Sequence, residues 1–320
     1  MSTMRAVVAE TAGGPDVLRL VETTRPASVG PEFLIKVHAA GVNPVDVQTR
    51  AGLGAAEAAS WPLVLGNDLS GTVVEAPYEA HHLKVGDEVY GMTLVPRLPG
   101  AYAEYAAVPG LFLAKKPRGL SHVEAAGVPL AALTAWGAVV EVAKAHEGQR
   151  ILIHAGAGGV GHFAVQFAAF FGAHVITTGS GHNLGWLREL GAHEVVDYTA
   201  GPFEEQVAPV DTVIDLVGNA QQETGRRSLD VLKAGGLLVD VPIGDWPTLA
   251  EDAAAAGVRA TGFRVAPDGT TLAVVSRLIE SGDVRVYVDQ VFDLADAGAA
   301  HAALETGRTR GKIVLAVADS

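Results

Sequence analysis

The chain of 320 residues contains no cysteine, which excludes disulfides and thiolate metal ligands at once. Charge is scarce as well: Asp, Glu, Lys and Arg make up 18% of the residues, and 36 acids against 23 bases leave a net charge of -13. That deficit of positive charge speaks against a nucleic-acid partner. No apolar run reaches the roughly 18 residues that a bilayer span requires. Met1-Ser2-Thr3-Met4-Arg5 passes directly into a short strand pattern, with no signal-peptide region. No membrane partner and a cytoplasmic location are therefore expected. The 11 histidines show no metal-ligand spacing, so no metal is expected either.

Glycine and aliphatic residues are plentiful. Hydrophobic residues form 49% of the chain, enough to build the cores of two domains. The most informative stretch is 150–171. Ile151, Leu152 and Ile153 read as a buried parallel strand, Gly156-Ala157-Gly158-Gly159-Val160-Gly161 turns the backbone, and an apolar helix follows. In a dinucleotide-binding turn one glycine makes the bend, one lets the main chain approach a pyrophosphate, and one brings the helix against the strand. The N–H groups at the helix start then face the phosphates. Gly156, Gly158, Gly159, Val160 and Gly161 are thus candidate cofactor-binding residues.

Before this stretch, short alternating runs separated by Gly and Pro clusters indicate a mostly β domain to about residue 119. After it, strands at 174–178, 194–197, 212–216 and 236–241 alternate with helical patterns, which predicts a doubly wound parallel sheet. From about residue 264 a helix, a strand, a second helix and a last strand are expected to return to the first domain. The predicted division is 1–119 with 264–320, and 120–263.

At this point the chain resembles the medium-chain dehydrogenase/reductase superfamily, in its zinc-independent quinone-oxidoreductase, zeta-crystallin-like branch. The resemblance rests on Ala40-Gly41-Val42-Asn43-Pro44-Val45-Asp46, Leu65-Gly66-Asn67-Asp68-Leu69-Ser70-Gly71, Val85-Gly86-Asp87-Glu88-Val89-Tyr90-Gly91, Leu133-Thr134-Ala135-Trp136, the glycine turn, and Gly311-Lys312-Ile313-Val314-Leu315. It implies a GroES-like catalytic domain, an inserted Rossmann domain, a nicotinamide cofactor in the cleft between them, and a homodimer. The zinc-dependent branch is excluded on chemistry: Asn43, Pro44 and Asn67 cannot build its tetrahedral site.

The strand after the glycine turn ends Thr177-Thr178-Gly179-Ser180, and no acid appears before Glu189. An acid there would grip ribose hydroxyls and repel a phosphate, so NADPH is the expected cofactor. The resemblance places Gly179, Ser180, Asn183 and Tyr198 at the 2′-phosphate, with His182 and Arg188 as candidate cations. Ser180 and Asn183 read equally as helix-capping residues. The resemblance also puts Asn43, Asp46, Thr134, Val217, Gly218, Pro242, Ile243, Phe263, Val265 and Lys312 at the cofactor. Asp46 has a second reading as a helix-start residue, and Thr134 as a donor to its own helix. Trp61, Tyr102, Trp246 and Phe263 are candidate walls of the substrate pocket, and each reads equally as a core residue. A tyrosine that many members carry just beyond Arg50-Ala51-Gly52 is missing, with Leu53 and Gly54 in its place. Asn43 is then the candidate catalytic donor to a substrate carbonyl oxygen, with a structural turn residue before Pro44 as its second reading. The expected activity is NADPH-dependent, metal-free reduction of a quinone or an activated double bond in a small apolar molecule. A carbonyl reductase and a cofactor-binding protein with little turnover are the alternatives.

Overall fold

The computed structural model describes residues 2–97, 99–219, 221–242, 244 and 246–317. The chain divides into two compact units, Met1–Leu133 with Ala266–Ser320, and Thr134–Val265. The first division falls beyond residue 119 because the helix His122–Ala126 packs on the strands Glu32–Val42 and Asp68–Glu75 of the first unit.

The first unit is built on the long strand Glu32–Val42, which turns Phe33, Ile35 and Val37, and beyond an irregularity in register Ala40 and Val42, into one core cluster while Lys36 faces out. It pairs antiparallel with Asp68–Glu75 on one edge and with Lys312–Ala316 on the other, so the two ends of the sequence meet in one sheet. Glu88–Met92, Leu113–Lys115, Tyr105–Pro109 and Val288–Asp293 complete seven strands. A smaller sheet joins Thr3–Ala9 to Leu18–Thr24 and Leu63–Val64. One apolar cluster, including Phe33, Leu65, Leu69, Leu83, Ile313 and Leu315, fills the interior.

The second unit is a six-stranded, wholly parallel sheet. In sequence order its strands are Arg150–Ile153, His174–Gly179, Glu194–Asp197, Val210–Asp215, Leu232–Asp240 and Arg259–Gly262. Their spatial order is third, second, first, fourth, fifth, sixth, which is the dinucleotide-binding order, with its crevice where the first and fourth strands part. The helix that precedes this sheet is α-helical over Pro129–Trp136 and continues as a π-helix over Gly137–Val142. Gly137 lies against the Phe263 ring so closely that a Cβ there would overlap it. Among the described residues no helix is long and apolar enough to cross a membrane.

Candidate functional site

The glycine turn leaves the first strand of the parallel sheet and enters the helix Gly161–Phe170. Its glycines differ in what surrounds them. A Cβ on Gly156 would overlap Thr177 Oγ1 of the neighbouring strand, and a Cβ on Gly161 would overlap the Ala155 carbonyl oxygen. A Cβ on Gly158 would meet only that same oxygen, at 3.3 Å. Gly156 and Gly161 are therefore fixed by packing, whereas Gly158 is much less confined. An open backbone at a helix N-terminus suits a pyrophosphate, so the residues present fit a dinucleotide.

Sequence reasoning missed the residue that bends this turn. Ala155 has φ +51°, a left-handed conformation that costs a non-glycine residue about 1 kcal/mol. Its N–H donates to Thr178 Oγ1 at 3.0 Å, and its carbonyl accepts from the Gly158 N–H at 2.9 Å. The neighbouring His154 is buried, with its pKa pushed down to about 3 by burial and then by Arg227. Ser228 Oγ donates to the Thr224 carbonyl and so accepts from His154 Nε2 at 2.9 Å, while Thr178 Oγ1 donates to Nδ1 at 3.2 Å. Every proton in this chain has one place to go, and the neutral imidazole holds the turn to the sheet.

At the end of the second strand, Gly179 packs against Leu187, and a Cβ would stand 2.5 Å from its Cδ1. Asn183 is buried, donates to Ser180 Oγ at 3.3 Å, and leaves its Oδ1 without a hydrogen bond. His182 is exposed and 3.3 Å from Ser180 Oγ; Tyr198 is 57% exposed. Ser180, His182 and Asn183 thus form one polar cluster beside Gly179. Asp215, another residue not singled out from sequence, accepts from the N–H groups of Val217 and Gly218 at 2.9 and 3.1 Å and so shapes that turn. Gly218 takes φ +87° there. Pro242, Phe263 and Val265 are half-buried in the same unit, Thr134 is buried, and Ile243 lies outside the described residues.

In the first unit Asn43 and Lys312 belong to one buried polar cluster. The register that sets Ile313 opposite Val42 and Gly41 opposite Asp68 brings their side chains together. Asn43 Nδ2 donates to Asp68 Oδ2 at 2.9 Å, and Lys312 Nζ donates to Asn43 Oδ1 and, at 3.1 Å, to the Val42 carbonyl. Asp68 Oδ1 accepts from the Leu130 N–H at 2.7 Å. Burial raises the Asp68 pKa and lowers that of Lys312, while their mutual attraction opposes both shifts. Both ends of the Asn43 carboxamide are thus engaged inside the protein.

Asp46 is fully buried at the start of the helix Pro44–Arg50 and accepts from the Asn43 N–H at 2.9 Å. Its pKa is pushed up to about 7 by burial and then by Asp68. The chain continues through Tyr102, whose hydroxyl lies 3.4 Å from Asp46 Oδ2 and 3.0 Å from His301 Nε2. Arg50 can only donate, so His301 Nδ1, at 3.5 Å, accepts, and Nε2 carries the proton. Burial and the Arg50 charge press the His301 pKa down to about 3. Tyr102 then donates to Asp46 Oδ2. Oδ1, which has no hydrogen bond in the structure, is left to hold the proton of the neutral acid.

Two expected pocket walls are placed elsewhere. Tyr102 is fully buried in the core of the first unit, because its hydroxyl is drawn to His301. Trp246 is buried in the core of the second, its indole N–H donating to Asp252 at 2.8 Å. Trp61 is half-buried against the first core.

Comparison with known proteins agrees with this architecture. A family model described as an alcohol dehydrogenase GroES-like domain matches residues 30–118, and one described as zinc-binding dehydrogenase matches residues 190–315. The zinc of that description has no ligand set here: among the described residues no group of three or more His, Cys, Asp or Glu could hold a metal ion. The mitochondrial NAD(P)H oxidoreductase RTN4IP1 of Danio rerio is 35% identical, over 99% of this chain and 92% of its own. The chloroplastic NADPH-dependent alkenal/one oxidoreductase of Arabidopsis thaliana is 35% identical, over 98% of this chain and 79% of its own. The solved quinone oxidoreductase of Coxiella burnetii superposes with a TM-score of 0.93 at 38% identity, over 99% of this chain and 100% of that one. The expected cytoplasmic location is overturned by these relatives: the RTN4IP1 proteins of fish, mouse, human and cattle are all mitochondrial. A chain with a GroES-like unit, a dinucleotide-binding sheet and no zinc ligands, related over its whole length to such proteins, belongs to the zinc-independent NAD(P)H:quinone oxidoreductase branch of the medium-chain dehydrogenase/reductase superfamily.

Proposed function

We propose that the protein is an NADPH-preferring, metal-free reductase of quinones and of carbonyl-conjugated double bonds in small, rather apolar molecules. The observation that carries this reading is the glycine turn, where packing fixes Gly156 and Gly161 while a Cβ on Gly158 would meet only the Ala155 carbonyl oxygen. When bound, the nicotinamide supplies a hydride to an electron-poor carbon of the substrate, and a proton from water completes the hydroquinone or the saturated carbonyl compound.

The remaining work belongs to the protein. The turn at 156–161 holds the pyrophosphate through backbone N–H groups. The polar cluster of Ser180, His182 and Asn183 supports the preference for NADPH, since hydroxyl and amide N–H groups donate to phosphate oxygens. Asn43 acts in this reading as a positioning residue, because its carboxamide ties Asp68 to Lys312. That pair fixes the start of the helix that carries Asp46. The names of the Coxiella and Arabidopsis relatives support quinones and alkenals or alkenones as substrates. The reading includes a homodimer, as the family resemblance implies; light scattering checks it against the 33.0 kDa chain.

The test is a fluorescence titration with NADPH followed by a turnover panel of benzoquinones, naphthoquinones, alkenals, cyclic enones and saturated aldehydes. Oxidation of NADPH by quinones or enones, and not by saturated aldehydes, is the expected result. Tight binding with no oxidation by any of them rejects the reading.

A further inference from the structure

We propose that Asp197 is a specificity-determining residue that holds down the preference for NADPH over NADH, by setting a carboxylate beside the loop that receives the 2′ position of the adenine ribose. The inference rests on the reading that a dinucleotide lies over the glycine turn. In a doubly wound sheet the ribose hangs from the end of the second strand, and an acid there binds the 2′-hydroxyl and repels a 2′-phosphate. The second strand here, His174–Gly179, has no acid at its end. The third strand supplies one. Glu194–Asp197 runs parallel to it with Asp197 opposite Gly179, roughly 4.8 Å away across the sheet.

The side chain is aimed as well as near. Oδ1 accepts from the Thr199 N–H at 2.9 Å and from Thr199 Oγ1 at 2.6 Å, which fixes the carboxylate. Oδ2 is turned to the loop at 180–182: a Cβ built on Gly181 would stand 2.8 Å from it. The Thr199 hydrogen bonds keep the carboxyl below its usual pKa, so the charge is present throughout the neutral range. One loop is therefore shared by two opposed sets of groups. Ser180, His182 and Asn183 offer donors to a phosphate, and Asp197 offers an acceptor to a hydroxyl and a like charge to a phosphate.

Asp197→Asn tests this, because its amide oxygen still accepts from Thr199. Wild type, Asp197→Asn and Asp197→Glu are titrated with NADPH and with NADH, and thermal unfolding checks that the variants fold. The Asn variant is expected to bind NADPH about fivefold more tightly, the order of effect of removing one like charge near a surface phosphate, and NADH no better. The Glu variant should keep the wild-type ratio within about twofold, because it keeps the charge. A ratio that the Asn substitution leaves unmoved, in a wild type that binds both, overturns this inference alone. Equal shifts in the ratio for Asn and Glu also overturn it, since they would mark a structural role. A wild type that binds neither dinucleotide overturns the functional reading and this inference with it.

Discussion

Lys312 Nζ and Asp68 Oδ2 lie 3.7 Å apart with both side chains almost wholly buried. Asn43 bridges them, and the Leu130 N–H holds the far carboxylate oxygen. Removing one member of such a pair strands the other charge, at a cost of about 3–5 kcal/mol. Lys312→Met should therefore destabilise the protein by that order, read as a lower urea midpoint at pH 7. Adding Asp68→Asn should recover part of the loss. A single variant as stable as wild type would show that Lys312 and Asp68 do not form an ion pair in the native state.

Asp46 gives a pH dependence whose sign is set. Its native pKa, pushed up to about 7, exceeds the ordinary carboxylate value of 3.8, so the native state binds the proton more tightly than the unfolded chain. The stabilisation from this group is complete below about pH 4 and is lost as pH rises through about 7. Asp46→Asn mimics the neutral acid: its oxygen can accept from the Asn43 N–H and the Tyr102 hydroxyl. The variant should match wild type near pH 4 and exceed it by a margin that grows towards pH 8, by urea denaturation at both values. A constant difference across that range would show that Asp46 does not titrate there.

The glycine turn separates binding from folding. Gly158→Val should abolish NADPH binding and cost less stability than changes at Gly156 or Gly161, because a Cβ there would meet only the Ala155 carbonyl oxygen, at 3.3 Å. Gly156→Ala and Gly161→Ala should lose about 1–3 kcal/mol of stability through overpacking, since their added methyl groups run into Thr177 and the Ala155 carbonyl. The three variants are compared by fluorescence titration and thermal unfolding. Loss of stability at Gly158 equal to that at Gly156 would refute the distinction.

Prolonged dialysis against a chelator should leave NADPH oxidation intact. The chain has no cysteine, and asparagine stands at 43 and 67. Activity that fell on chelation and returned with zinc would contradict metal-free chemistry.

Much of the fold is legible where local pattern and final environment coincide. The strand at 194–197 is found at its predicted bounds, and the glycine turn joins strand to helix as its spacing requires. The helix Leu249–Ala255 is legible only in part, as the alanine-rich run at 253–256. The strand Arg259–Gly262 escapes a hydrophobicity reading because it is an edge strand of four residues, two exposed and two half-buried, with Ala260 its one hydrophobic residue. Asp197 was illegible for a different reason. The search for a ribose-binding acid follows the chain beyond the glycines, whereas pairing between parallel strands brings residue 197 beside residue 179. The same holds for Asp68, His301 and Lys312, whose meeting with Asn43, Tyr102 and Arg50 depends on sheet register and long-range packing.

The bond from Lys312 to Asn43 spans 269 residues of chain. During synthesis on the ribosome the asparagine must wait for the whole parallel sheet to be translated before its partner exists. Residues 134–265 form an unbroken segment that meets no such delay. The order of manufacture thus favours completion of the nucleotide-holding half while Asp68 still lacks its counter-charge.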